Sequence, residues 1–306
     1  MSHTQFSDAT LDSYIKALEQ TGNFSVFRRL HPNSIPLPPL PFDALAAETM
    51  RIVYCDVEAT GLDHDADEVF EFAAVPFTAT RDGHIVSVEP SVSWLSETTK
   101  PIPENVVELT GVTNEMIKGH RFDPNAFERL LDGADMVIAH FANFDRTMCE
   151  KLHPRFSEIM WGCSATQVKW KQHGHDSAKL TNLALANGFV FGSHRAANDC
   201  AAGVAVLALE LKGTDAPALS QLLQTALLDS VKLFAVSAPF DKKDILKGRG
   251  YEWSDGSKGV PKTWWKEIQV AEQPDEIAFL QTNIYGRPFE VPAKRISPRE
   301  RFSRRA

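Results

Sequence analysis

The sequence predicts an α/β fold, a mixed five-stranded sheet flanked by helices, with a small α+β appendage behind it. Three observations lead there. Between residues 49 and 212, short apolar runs of strand length alternate with stretches of helical periodicity. Asp82-Gly83 is a hairpin signal between two of those runs, whereas later runs are separated by helical patterns, so antiparallel and parallel neighbours are both expected. The last 67 residues differ in character, with 14 Lys and Arg against 10 Asp and Glu, and three of the six tryptophans.

Taken in order, residues 7–20 read as an amphipathic helix: Ser7 or Asp8 caps it, Leu11, Tyr14, Ile15 and Leu18 share a face, and Gly22 ends it. We assign residues 1–30 to this helical extension. Five prolines between residues 31 and 41 impose an extended segment, and 31–48 is read as a linker. The main domain is expected at 49–212. Its strands are expected at Ile52-Val53-Tyr54-Cys55, at 69–75, at 84–94, at Met136-Val137-Ile138-Ala139 and, weakly, at 161–166. Helical patterns lie at 103–119 (broken by Gly111), 124–132, 144–152, 178–187 and 196–211. A helical connector is expected at 213–238, with the pattern running from 217 to 234, then a small accessory unit at 239–290. In the tail, 291–306, six Lys and Arg stand against one acid from 294 onward, which reads as a disordered basic segment.

Over 306 residues, 43% hydrophobic and 24% charged excludes disorder throughout, and no apolar run approaches the roughly 18 residues that span a bilayer, so no membrane role is expected. The first ten residues lack the basic and apolar regions of a secretory signal. Cys55, Cys149, Cys163 and Cys200 form no CxxC pair, which points to a reducing, cytoplasmic setting rather than a disulfide scaffold or zinc ribbon. A net charge of −8 argues mildly against a surface that grips nucleic acid all over.

The chemistry-bearing residues fall where elements end. After the first strand comes Cys55-Asp56-Val57-Glu58-Ala59-Thr60-Gly61, and strand alternation puts Asp56 and Glu58 on one face. Two such carboxylates repel unless a cation lies between them, and a hard divalent ion meets that need. On spacing alone a pair of solvated acids fits equally well. His140-Phe141-Ala142-Asn143-Phe144-Asp145 follows the fourth strand, where Asp145 also reads as a helix-start acid. His194-Arg195-Ala196-Ala197-Asn198-Asp199 opens the Ala-rich helix, with Asp199 little more than one turn in.

As an ordered set these elements resemble the DEDDh exonucleases, the DnaQ-like 3′–5′ exonuclease family of ribonuclease H-like fold. The resemblance covers roughly residues 50–212. It includes Val57-Glu58-Ala59-Thr60-Gly61-Leu62, Glu71 within Phe70-Glu71-Phe72-Ala73, the segment Leu109-Thr110-Gly111-Val112-Thr113-Asn114-Glu115-Met116-Ile117, and the H-x-A-x-x-D form at 194–199 that marks the His subgroup. One departure is Phe141, which stands where the family usually has Asn and could change local hydrogen bonding or offer a stacking surface.

The resemblance implies two divalent ions, Mg²⁺ or Mn²⁺, bound by Asp56, Glu58, Asp145 and Asp199, with His194 as general base toward the attacking water. It implies a 5′-mononucleotide released from a 3′ end, DNA before RNA, with an exoribonuclease as the alternative. Thr60 and Gly61 would meet the terminal nucleotide's 3′-hydroxyl, Leu62 its base, and Phe141 or Phe144 would stack. A polymerase or sliding clamp is a further expected partner, since the chain shows no polymerase signature. Ser230-Val231-Lys232-Leu233-Phe234 is the one segment with the look of a clamp peptide, although ordinary packing explains it as well. The interleaved basic and aromatic residues around Trp253, Trp264 and Trp265 suit either single-stranded nucleic acid or the core of a small unit.

Overall fold

The computed structural model describes residues 8–256 and 261–306; the Ser7 cap lies outside them. Helix α1 (Asp8–Glu19) leads into a two-residue strand β1 (Arg28–Arg29). The sheet strands follow: β2 (Thr49–Ala59), β3 (Val69–Thr80), β4 (Ile85–Val88) and β5 (Val92–Leu95). Helices α2 (Glu104–Thr110), α3 (Asn114–Ile117) and α4 (Pro124–Leu131) precede β6 (Met136–Ala139), α5 (Ala142–Leu152) and β7 (Met160–Cys163). Then come α6 (Leu180–Ala186), β8 (Phe189–Val190), α7 (Ala196–Ala208) and α8 (Ala218–Ala226). The C-terminal part holds β9 (Ser230–Ala235), α9 (Lys243–Gly248), β10 (Glu252–Ser254), β11 (Thr263–Gln269), α10 (Gln273–Phe279) and β12 (Ala293–Ile296).

The central sheet has the order β4-β3-β2-β6-β7, with β5 pairing β3 farther along the edge that β4 uses. It is therefore a mixed sheet, as expected, antiparallel on the β3 side and parallel from β2 through β6 to β7. The single strand expected at 84–94 is two strands, because Glu89-Pro90-Ser91 interrupts the ladder and Pro90 has no N–H to give it.

Alternation along β2 divides the core. Ile52 and Tyr54 face α6, α7 and α8, while Val53, Cys55 and Val57 face α4 and α5. Asp56 and Glu58 continue the Tyr54 row, so they emerge beneath α7. That helix lies unusually close to β2, because Gly203 presses on Tyr54: a Cβ there would fall 2.0 Å from the ring. Asp199 is one turn before Gly203 on the same helix face, and the close approach brings it down to the end of β2.

The proline segment lies against this core rather than away from it. Leu30 is buried, Ile35 and Leu37 pack on the α7 side, and β1 pairs with β8 in parallel.

Two expectations for the C-terminal region need correction. The helical pattern at 217–234 ends at Ala226, and 230–235 forms β9, flanked by β11 and β12 in an antiparallel sheet of order β10-β11-β9-β12. Val231 and Leu233 are buried in its core, so the segment likened to a clamp peptide is interior. The basic tail is ordered as well. Strand β12 closes the sheet, and the chain then returns to the central sheet, where Pro298 accepts the Trp161 N–H at 3.1 Å. Most of its cations are engaged. Arg301 is buried and donates to the Thr225, Ala226 and Leu228 carbonyls at the end of α8, and to Glu267. Arg304 reaches Asp65 at 2.6 Å and Arg305 reaches Glu150 at 2.9 Å. In return Arg146, fully buried on α5, donates to the carbonyls of Arg299 (2.5 Å) and Arg301 (2.7 Å). The tail thus buttresses the helix that carries Asp145.

Candidate active site

Three of the expected acids converge. Asp56 and Glu58 from β2 and Asp199 from α7 each place a carboxylate oxygen within 4.8 Å of the others. Asp145 joins from the opposite layer. Strand β6 pairs with β2 only as far as Tyr54, so beyond it β2 has no ladder partner on that side among the described residues. The vacant edge is met by a side chain: the Val57 N–H donates to Asp145 Oδ1 at 3.3 Å, between the two β2 acids.

Crowding and burial make these acids hard to ionise. Burial, then the charges of Asp145, Asp199 and Glu58, push Asp56 well above the usual carboxylate range. Glu58 is pushed up to about 8, by burial first and then by Asp199, Glu71 and Asp145, with the Arg195 guanidinium opposing. Asp145 rises to about 7 through burial, although the N–H groups of Val57, Asp145 and Phe141 lower it. Asp199 rises to about 6 through burial, against the N–H groups of Arg195 and His194 that its carboxylate accepts. A set of carboxylates in need of positive charge, Asp145 buried and the other three half-buried, with oxygens that converge on one point, fits hard divalent cations.

His194 is exposed, on the turn just before α7, with a left-handed φ of 64°. Next to it, the Arg195 guanidinium forks onto Glu71, a fully buried acid that faces Glu58 across the β2–β3 ladder. Reading the sequence singled out neither partner of this ion pair as functional. The signal was partly present, since Arg195 lies inside the H-x-A-x-x-D stretch; the pairing itself depends on strand register.

The nucleotide-facing candidates divide. Thr60 is engaged in its own loop, its N–H on the Glu68 carbonyl at 2.9 Å and its hydroxyl on Asp67 Oδ1 at 2.9 Å. Asp67 also accepts the Asp63 N–H, and Gly61 is pressed on it so closely that a Cβ would lie 2.4 Å from Oδ2. Leu62 is left standing clear, 82% exposed. Phe141 is 58% exposed and meets His140 edge-on, while Phe144 is half-buried on the core with His64 at 5.4 Å. His140 is interior: burial pushes its pKa down to about 4, and its ring nitrogens meet Ser164 Oγ (2.9 Å) and the Ala178 carbonyl (2.7 Å).

Acids gathered at the mouth of a mixed sheet, with a histidine at the edge of the cluster, define an α/β nuclease, a hydrolase of phosphodiester bonds. The chain belongs to the Exonuclease family, whose model matches residues 53–207. It is 34% identical over 154 residues to DNA polymerase III subunit epsilon of Aquifex aeolicus, covering 48% of this chain and 73% of that one. With the Treponema pallidum epsilon subunit it shares 30% identity over 155 residues, 47% of this chain and 68% of the relative. A PolC-type DNA polymerase III of Thermotoga petrophila is 33% identical over 100 residues, which is 32% of this chain but 7% of that protein. The relatives match about half of this chain or less. Among the described residues no helix is long and apolar enough to cross a membrane.

Proposed function

We propose that the protein removes nucleotides from the 3′ end of DNA, preferring single strands, by metal-assisted hydrolysis. The observation that carries this reading is the convergence of Asp56, Glu58 and Asp199, with Asp145 locked on the Val57 N–H beside them. When bound, two divalent ions held by these four acids, Mg²⁺ or Mn²⁺, supply positive charge for the attacking and leaving oxygens of the phosphodiester. His194 takes a proton from the attacking water. Water oxygen bonds to the phosphorus of the last nucleotide, the bond to the preceding sugar's 3′-oxygen breaks, and a 5′-mononucleotide leaves. Leu62 and Phe141, both exposed and four residues in sequence from Glu58 and Asp145, offer apolar surface to the terminal bases. The likeness to epsilon subunits supports a role beside a DNA polymerase, with the polymerase as a partner.

The test is digestion of matched labelled DNA and RNA oligonucleotides, single- and double-stranded, in Mg²⁺, Mn²⁺ or EDTA. Shortening of single-stranded DNA from the 3′ end, abolished by EDTA, is the expected result. Faster loss of RNA would transfer the assignment to exoribonuclease, and activity that survives EDTA would remove the metal from the mechanism.

A further inference from the structure

Arg195 lies between His194 and α7, and its bonds run in two directions. Its N–H donates to Asp199 Oδ2 at 3.2 Å. Its guanidinium crosses to β3, with Nε 3.2 Å and Nη2 3.1 Å from the Glu71 oxygens. Glu71 is immobilised in turn: it is fully buried, faces Glu58 in register and takes the Ser93 hydroxyl at 3.3 Å. A planar guanidinium on a carboxylate fixes direction as well as distance, so one end of this clamp is set by the sheet. The other end is the backbone beside His194. A histidine at φ 64° stays in that conformation only where its surroundings impose it.

We propose that Arg195 is a positioning residue for the general base, holding the His194 turn against the acid cluster by its grip on Glu71. The inference rests on the exonuclease reading, with His194 as base. It separates Arg195 from two other roles open to a cation at this place, a contact to substrate phosphate and a structural ion pair with no bearing on turnover.

The experiment compares Arg195→Ala, Arg195→Lys, His194→Ala and the double variant His194→Ala/Arg195→Ala on a single-stranded DNA substrate in Mg²⁺. Arg195→Ala/Glu71→Gln is included because it leaves no lone buried charge and keeps the test open if Arg195→Ala folds poorly. A displaced base costs about 10²-fold in kcat. We expect that loss in Arg195→Ala and in Arg195→Ala/Glu71→Gln, with KM and Mn²⁺ binding retained and partial recovery in Arg195→Lys. In the His194→Ala background the arginine substitution should cost nothing more, since the group it positions is gone. In the metal-free protein, amide exchange at residues 194 and 195 should quicken by about tenfold or more in Arg195→Ala/Glu71→Gln. A raised KM with kcat intact would make Arg195 a phosphate contact and overturn the proposal. So would an equal loss in the His194→Ala background, or wild-type kcat in Arg195→Ala/Glu71→Gln. A wild-type protein inactive on every oligonucleotide would instead sink the exonuclease reading, and unchanged exchange at residue 194 would sink the clamp by itself.

Discussion

The two halves of the molecule treat buried charge in opposite ways. In the C-terminal unit each such charge among the described residues is answered. Glu276 is met by Arg249 and Lys266, Glu267 by Arg301 and the Ser230 hydroxyl, and Lys232 lies 4.7 Å from the centre of the Trp265 ring. At the head of the central sheet, Asp56, Glu58, Asp145 and Asp199 converge with no Lys or Arg paired to them among the described residues, and the nearby guanidinium is directed at Glu71 instead. Burial without compensation is costly, so a folded chain keeps such a cluster only where something else supplies the charge. The net charge of −8 hides this contrast, because it averages an acid-rich catalytic half with a basic end most of whose arginines are engaged in structure.

Breaking the catalytic side gives the largest effect. His194→Ala should lower turnover by about 10²–10⁴-fold while Mn²⁺ binding survives, and Asp56→Asn should lose both, as read by mononucleotide release and calorimetry. Next in size is the structural side. Arg301→Met takes away Glu267's cation and a donor shared by three carbonyls and should cost about 3–5 kcal/mol in denaturant unfolding. Glu58→Gln in the metal-free protein should do the reverse and stabilise it by about 1–2 kcal/mol, sharpening the contrast between the halves.

The pH dependence follows with its sign. A carboxyl whose pKa is raised on folding gives stability that is full below its unfolded value and is lost as pH rises through the folded one. For Glu58 that window runs from about 4.5 to about 8. The melting temperature of metal-free protein should therefore fall as pH is raised across it, and saturating Mg²⁺ should flatten the slope. The smallest effect is expected at the rim: Leu62→Ala removes exposed apolar surface and should raise KM by about tenfold or less, with kcat unchanged.

Much of this was legible in the residues. Asp56 and Glu58 announce a shared face because a strand has period two, and Asp199 follows His194 at a spacing that one helical turn brings back. What was hidden depends on contacts distant in sequence. The Asp145 bond to Val57 arises from β2 outrunning β6, and the Arg195 grip on Glu71 needs both strand register and the close seat of α7 that Gly203 permits. Strand β9 escaped notice because Val231-Lys232-Leu233-Phe234 is too short and too apolar to separate a period of two from one of 3.6. The tail was misread for a different reason. Its arginines look like solvated charge by composition, yet Arg295, Arg301, Arg304 and Arg305 find carbonyls and acids more than thirty residues away in sequence.

The unmet charge at the sheet head is tested most directly by titrating metal-free protein with Mn²⁺ at pH 7, in two buffers of different ionisation enthalpy. Acids held near or above neutrality must release protons as a cation binds. Binding with proton release is expected, lost in Asp56→Asn and kept in His194→Ala. Absence of binding, or binding with no protons released, would contradict it.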